Sequence, residues 1–503
     1  MSESAARAVS AVRALAASEV LDLEALTRLF LSAHGRLVAE CLLVVAVLYL
    51  LLVPRFRYTR RDDVPLTEAE IDQLCAEWQP QPLAPPPVDG ETGRPDDDGA
   101  DAAPLVSSPP LRTVIANGRE TLNFGSANFL MAGGDASITE RCIATISKYG
   151  TGACGPRGFY GTIDVHLELE GRLAAFLGQE ACAIYSYDVA TPASVIPAFA
   201  RRGDVIMIDE SCSWAIQQGC ALSRATVVRY KHNDAGDLEA RMADVERQRR
   251  RRGAPLTRRF VIAEGINACD GTLAPLPEIV RVKDANKYRL IVDESLSLGV
   301  LGAAGRGALE HWGLSCDDAT AVVGSMGTAL GSMGGFCVGK WEVVDHQRIN
   351  ASGYVFSAAL PPFLATAAIG ALDLLESPEG PARAAAARAN AQRMRSLLRR
   401  AGGAPGLRVV GGKHDDNSPV VHLVLDPPAG TPGEAHERLT AVRDGCLKEG
   451  VLVAVARRSR IDAAVAAPSL KVMPLSGHSD ADLQQCAEVL AQAARDALAS
   501  KAA

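Results

Sequence analysis

From residue 113 onward the chain alternates short, near-continuously apolar runs with longer stretches in which apolar residues recur every three or four positions. The runs are Ala181–Tyr185, 205–208, Thr226–Tyr230, 260–263, 290–292, 321–323 and 336–338. Runs this short and this uniformly apolar predict strands of a parallel or mostly parallel sheet, covered on both faces by the intervening helices. A smaller α+β unit follows, with strands predicted over 420–425 and 451–455. Its last helix opens on Ser479-Asp480-Ala481-Asp482, a capping-box pattern, and runs to about Ala499. The expected division is a large α/β domain over 113–365 and a small domain over 366–503.

The N-terminal part follows a different pattern. Residues 37–53 are apolar apart from Glu40, and as a helix they would run about 25 Å, near the thickness of a bilayer core. A transmembrane helix is expected there. Arg55, Arg57, Arg60 and Arg61 follow it closely, whereas the preceding side mixes Arg7, Arg13, Arg28 and Arg36 with Glu3, Glu19, Asp22 and Glu24. That asymmetry predicts a single pass with the C-terminal bulk in the cytosol and residues 1–36 as a lumenal segment. Residues 67–78 have helical spacing, with Ile71, Leu74, Cys75 and Trp78 on one face, suited to a membrane surface, a partner or core packing alike. Residues 79–111 are rich in Pro, Asp and Gly and read as a linker, so 54–112 form a juxtamembrane helix plus linker.

Composition narrows the function classes. A formal charge of -7 and an isoelectric point near 5.8 argue against a nucleic-acid binder. Twelve cysteines are scattered singly, without a CxxC pair or a histidine at metal spacing, which predicts reduced thiols and no metal site. The basic run 247–252, followed by Arg258 and Arg259, suits a solvated loop or contact with anionic lipid headgroups.

Gly150-Thr151-Gly152-Ala153-Cys154-Gly155 satisfies GxGxxG, but a dinucleotide fingerprint needs a strand before it. Residues 137–148 instead begin like a capping box and have helical periodicity. The longer string 150–162, ending Gly155-Pro156-Arg157-Gly158-Phe159-Tyr160-Gly161-Thr162, is far more specific. Further blocks are Asp164-Val165-His166-Leu167-Glu168, Lys231-His232-Asn233-Asp234, Asp293-Glu294-Ser295-Leu296-Ser297-Leu298-Gly299, Gly305-Arg306-Gly307 and Phe356-Ser357-Ala358-Ala359-Leu360-Pro361-Pro362. Together they resemble the α-oxoamine synthases, which condense an amino acid with an acyl-CoA on pyridoxal phosphate. Within these they are most similar to the serine palmitoyltransferase branch. The resemblance implies a fold-type I, aspartate aminotransferase-like architecture, and decarboxylative condensation of L-serine with palmitoyl-CoA to 3-ketosphinganine, the first step of sphingolipid biosynthesis.

Residue by residue, the resemblance implies a subunit without its own catalytic residues. Thr328, in the segment 323–336, stands at the position of the Schiff-base lysine, and a hydroxyl cannot form that bond. Ser213 stands where a histidine would stack on the cofactor ring. Leu296 stands where a second histidine would hydrogen-bond the cofactor. Asp188 replaces a glycine at a phosphate-receiving helix start, and Lys471 replaces a substrate-carboxylate arginine. Asp293 alone keeps the cofactor-type residue, and reads as a relic. His166 and His232 read as ordinary hydrogen-bonded histidines. Family members form their sites at a dimer interface, so Gly155, Pro156 and Arg157 become candidates for surface lent to a partner's site, and Ser357 for reaching the partner's cofactor. The implied partner is a lysine-bearing long-chain base subunit 2 holding the pyridoxal phosphate, at the endoplasmic reticulum membrane, with small activating subunits and membrane regulators as further candidates. Two other readings are a regulatory or scaffold pseudoenzyme, and an independent synthase using Lys340 or Lys231.

Overall fold

The computed structural model describes residues 33–52, 67–78, 103–253, 255–400, 402–456 and 467–499. The chain divides into two compact units, 1–90 and 91–503.

In the first unit, Ala33–Leu52 forms a 20-residue helix, about 30 Å long at 1.5 Å per residue. Its side chains are described only at 40–49, where Leu42, Leu43, Val44, Val45, Val47, Leu48 and Tyr49 are exposed. Among the described residues no helix is long and apolar enough to cross a membrane. Of the expected span over 37–53 only Val53 lies outside the described residues, so the expectation of a transmembrane helix is not borne out there; residues 1–32, 54–66 and 79–102 also lie outside them. The second helix is Glu68–Glu77, started by a capping box between Thr67 and Glu70 and without a buried residue.

The second unit is built on a seven-stranded sheet. Its strands are β3 (Ala181–Tyr185), β4 (Val205–Asp209), β5 (Thr226–Tyr230), β6 (Arg259–Glu264), β7 (Arg289–Asp293), β8 (Ala321–Ser325) and β9 (Gly335–Gly339), in the order β3-β9-β8-β7-β6-β4-β5. All pairings are parallel except those of β9. Each predicted apolar run became one of these strands. Successive side chains point to opposite faces, and the core divides accordingly: Met207, Val261, Leu290, Val292 and Val322 pack on one side, Ile206, Ile208, Phe260, Ile262, Ile291 and Val323 on the other.

The smaller unit draws on both ends of this body. A four-stranded sheet, β10-β11-β14-β13, uses Leu407–Val409, Val421–Leu425, Leu470–Val472 and Ala454–Val455. A hairpin of β1 (Thr113–Ala116) and β2 (Arg119–Asn123) joins β12 (Val451–Leu452) through parallel pairing of β2 with β12. Asn117 and Gly118, both at positive φ (49° and 78°), make the two-residue turn that suits the twist of a hairpin. Leu122 and Phe124 belong to the core formed with Leu423, Leu439, Val472 and Leu490, so residues near 120 pack with the C-terminal unit and a boundary drawn at 113 separates them from it. The last ten residues of the expected linker also belong to this body: Val106 bridges Ala116, and Arg112 makes a bidentate pair with Asp482 at 2.8 and 2.6 Å. Two further details differ from expectation. Asp135, rather than Ser137, caps Ala136–Tyr149, and the run 451–455 breaks into two short strands in different sheets.

Candidate functional site

Parallel strands bring their C-terminal ends to one edge of the sheet, and ligands of open α/β folds bind in the crevice there. Three neighbouring strands end in a carboxylate at that edge: Asp209 on β4, Glu264 on β6 and Asp293 on β7, with Ser325 ending β8. All four are buried.

Each of these groups is engaged by its own chain. Asp293 Oδ1 accepts the Ser295 N–H at 2.8 Å, and burial raises its pKa above the ordinary carboxylate range. Glu264 Oε2 accepts the Ser213 N–H at 3.0 Å. Burial, then the neighbouring charge of Asp293, pushes its carboxyl up to about 8. Asp209 accepts from the Ser211 and Asn233 amides at 2.7 and 2.8 Å and meets His232 Nδ1 at 2.9 Å. The other ring nitrogen of His232 lies 3.0 Å from Asp270. Burial works against its charge, but Asp209 and Asp270 outweigh burial and raise its pKa to about 10.

The positions singled out in the sequence converge on this edge. Thr328 follows β8, and its hydroxyl donates to the Ser295 carbonyl at 2.6 Å, tying the segment after β8 to the one after β7. Ser213 is the cap position of the helix Trp214–Ser223, and Leu296 is partly buried against the large core. Asp188 stands at the start of Ala190–Phe199. One carboxylate oxygen accepts the Val189 N–H at 2.8 Å and the other accepts the Ser325 hydroxyl at 3.0 Å. Lys471 on β14 donates to the Ala268 carbonyl at 3.1 Å. His166 is fully buried between the Ile163 amide and the Leu360 carbonyl, and burial lowers its pKa.

A pyridoxal phosphate would need an amine, ring contacts and a phosphate cup. The segment 323–336 has no amine. The helix start that would receive phosphate already carries the Asp188 carboxylate, which repels an anion and occupies both the amide and the Ser325 hydroxyl. Lys340 follows β9, which runs antiparallel, and so emerges at the opposite end of the sheet. Lys231 follows the edge strand β5, four strands from β8, or about 19 Å away at sheet spacing.

The glycine-rich string forms a loop beside the segment 356–359. Pro156 bridges Ala358, and the Gly155 carbonyl accepts the Ala359 amide at 2.8 Å. The two passes of the loop lie so close that a Cβ on Gly161 would sit 1.8 Å from the Gly155 carbonyl oxygen. Cys154 and Tyr160 take positive φ, 56° and 66°. Ser357 is half-buried, its hydroxyl donating to the Ala358 carbonyl at 3.2 Å.

Arg157 departs from its expected place on the lent surface. Its side chain is only 3% exposed, and it pairs bidentately with Glu170 at 2.8 and 3.1 Å while donating to Thr162 at 3.0 Å. Glu170 Oε1 also accepts the Ile184 amide at 3.2 Å, so the pair ties the loop to β3. The outward side chains are instead Phe159, Tyr160 and Phe356, all exposed. Reading by residue type missed them because isolated aromatics carry no spacing signal. It also passed over Asp209 and Glu264, although an acid ending an apolar run occurs three times over.

The family model for aminotransferase class I and II matches residues 119–490. Long chain base biosynthesis protein 1b of Oryza sativa subsp. japonica is 41% identical over 465 residues, covering 92% of each chain. Serine palmitoyltransferase 1 of Dictyostelium discoideum is 35% identical, covering 91% of this chain and 94% of its own. Among solved structures, serine palmitoyltransferase from S. paucimobilis with a bound pyridoxal-phosphate–myriocin aldimine aligns at a TM-score of 0.69 and 25% identity, covering 79% of this chain and 93% of that one. The Sphingomonas wittichii serine palmitoyltransferase aligns at 0.67 and 27%, covering 77% and 90%. The chain belongs to the class I and II aminotransferase family, and within it to the long chain base biosynthesis protein 1 and serine palmitoyltransferase 1 group.

Proposed function

We propose that this chain is the lysine-lacking subunit of a heterodimeric serine palmitoyltransferase, and that its own strand-end cup does not hold pyridoxal phosphate. The observation that carries the reading is Asp188, whose carboxylate fills the phosphate-receiving helix start, beside a Thr328 hydroxyl bound to the Ser295 carbonyl. A missing amine alone would leave a cofactor pocket; a carboxylate in the anion cup removes its affinity as well. The cofactor of the complex is then held by a lysine-bearing long-chain base subunit 2, where it supplies the electron sink for joining L-serine to palmitoyl-CoA.

This chain's part is to stabilise that partner and complete its site through the loop of residues 150–162 and the neighbouring Phe356 and Ser357. The apolar helix Ala33–Leu52 anchors it, with the C-terminal body on the cytosolic face of the endoplasmic reticulum membrane and small activating subunits or membrane regulators as further partners. The apolar run 37–53 and the arginine-rich flank that follows it support the anchor. An independent synthase is disfavoured because Lys340 emerges at the opposite end of the sheet and Lys231 lies four strands from β8.

The test is incorporation of radiolabelled serine into 3-ketosphinganine by this chain alone, the lysine-bearing partner alone, and both co-expressed. Activity is expected only from the pair. Full activity from the partner alone would reduce this chain to a scaffold, and activity from this chain alone would overturn the reading of Thr328. Deleting residues 1–61 should release the chain from carbonate-washed membranes when it is expressed without partners; retention would overturn the single anchor.

A further inference from the structure

The opposite end of the sheet, away from the strand-end cup, carries a charge pattern that the proposed subunit role does not use. Strands β7, β6, β4 and β5 are consecutive neighbours, and the segments entering them bring Lys287 and Arg289, Arg258 and Arg259, Arg201 and Arg202, and Arg224 to one edge. The helix Ala235–Arg251 ends at the same edge with Arg249, Arg250 and Arg251 in its last turn, followed by Arg252. Four strand starts span about 15 Å, enough to make a face rather than a point.

The acids on this face are largely consumed. Asp204 is buried, accepting the Arg201 and Arg258 amides at 3.0 Å and lying 3.3 Å from the Arg258 guanidinium. Glu246 is shared among Arg249, Arg250 and Arg259. Arg201, Arg202, Arg224, Arg251, Arg252 and Lys287 are exposed and enter no ion pair among the described residues. The other half of the same end is acidic, with Glu180, Asp317, Asp318 and Glu342 around the strands β3, β8 and β9. Two leucines stand out among the cations: Leu222, at the end of Trp214–Ser223, and Leu256, in the segment leading into β6, are 61% and 67% exposed.

We infer that this basic half-face docks on an anionic lipid surface, its arginines meeting headgroup phosphates while Leu222 and Leu256 enter the acyl boundary. Charge complementarity alone would admit a nucleic acid. The leucines favour lipid, since a phosphodiester backbone offers nothing to an exposed leucine. The inference does not depend on the subunit reading or on the anchor.

The experiment uses the full-length chain with vesicles of phosphatidylcholine, or of phosphatidylcholine containing phosphatidylserine. Hydrogen exchange is followed over residues 247–260, and a photo-crosslinking residue is placed at position 256. Slower exchange and lipid adducts are expected only with phosphatidylserine, both reversed by salt. The triple variant Arg250→Gln, Arg251→Gln, Arg252→Gln, all at exposed positions, should weaken the contact on the order of a hundredfold, taking roughly fivefold for each cation at a charged membrane. Equal exchange with both vesicle types, whether or not the chain inserts through residues 33–52, would overturn the proposal. So would protection by a single-stranded oligonucleotide without protection by phosphatidylserine. Should the chain fail to insert, it must still float with the phosphatidylserine vesicles and not with the others; failure of that flotation counts against the face, whereas failure of insertion alone counts against the anchor.

Discussion

The strand-end cup and the glycine-rich loop meet the same solvent in opposite ways. In the cup, Asp188, Asp209 and Asp293 accept from amides and a hydroxyl of the same chain, Thr328 donates to the Ser295 carbonyl, and burial with the neighbouring Asp293 pushes the Glu264 carboxyl up to about 8. The loop spends its internal interactions on its own geometry, through Gly155 against Gly161 and Arg157 against Glu170, and leaves Phe159 and Tyr160 outside. A self-satisfied polar site has little left to offer a ligand. A tightly formed loop with outward aromatics has contact area to give a partner at low entropic cost. The difference separates two roles that a catalytic subunit would combine: holding a cofactor and shaping a neighbour's site.

The largest expected effect tests whether the loop is a built object. Arg157→Ala leaves the buried Glu170 with only the more distant Arg348, 3.7 Å away, in place of its bidentate partner, and breaking such a pair costs about 3–5 kcal/mol. Denaturant unfolding of the chain should show a loss of that size, with Glu170→Gln also destabilising. A loss below about 1 kcal/mol would mean that the loop does not depend on this pair, and that a turnover defect in Arg157→Ala is direct.

The cup makes its own prediction through pH. Glu264 is raised from an ordinary 4.5 to about 8 by burial and then by Asp293. A raised carboxyl favours the fold while protonated, so its contribution is complete below 4.5 and lost as the pH rises through 8. His232, raised from 6.5 to about 10 against burial by Asp209 and Asp270, contributes fully below 6.5 and loses that contribution through 10. Both slopes have the same sign, so these groups make stability fall from mildly acidic to alkaline pH. Glu264→Gln should flatten the part between 4.5 and 8 in denaturant midpoints recorded across pH. An unchanged slope would mean that Glu264 is ionised in the folded chain.

A smaller effect on the fold, with a larger one on the pair, is expected at Tyr160. Because the side chain is exposed, Tyr160→Ala should move stability by no more than about 0.5 kcal/mol. In a complex still assembled by gel filtration it should lower turnover. Unchanged turnover would remove the loop from the partner's site.

The sheet was readable because strands buried on both faces are apolar without interruption, a property shared by every run except the edge strand Thr226–Tyr230, which carries Arg229 and is mostly half-buried. Residues 103–112 were misread because composition reports entropy, whereas a hairpin edge can recruit a Pro-rich segment through backbone pairing alone. Arg157 was placed outside because an arginine beside glycines carries no sign of an acid thirteen residues on that will bury it. Glu264 and Asp209 were legible in principle as acids closing apolar runs; their protonation and pairing were not, since these depend on which strands become neighbours. The exposed aromatics and the basic half-face depend on three-dimensional adjacency in the same way.

The smallest expected effect is the most discriminating for the cup. Thr328→Lys restores the amine but leaves Asp188 across the helix start, Ser213 without a ring to stack and Leu296 without a hydrogen bond to give. The new lysine must also forgo the hydroxyl bond to Ser295, worth about 1 kcal/mol net, so a slight destabilisation is expected. Incubated with pyridoxal phosphate, the isolated variant should show no borohydride-trappable adduct at residue 328 beyond that of surface lysines, and no release of coenzyme A from palmitoyl-CoA with serine. Adding Asp188→Gly should raise phosphate-dependent binding more than the lysine alone, because it removes the repelling carboxylate and frees the Val189 amide and the Ser325 hydroxyl. If Thr328→Lys by itself gave a stoichiometric adduct and turnover, the cup would be a cofactor site lacking one group, and its contrast with the loop would reduce to a single residue.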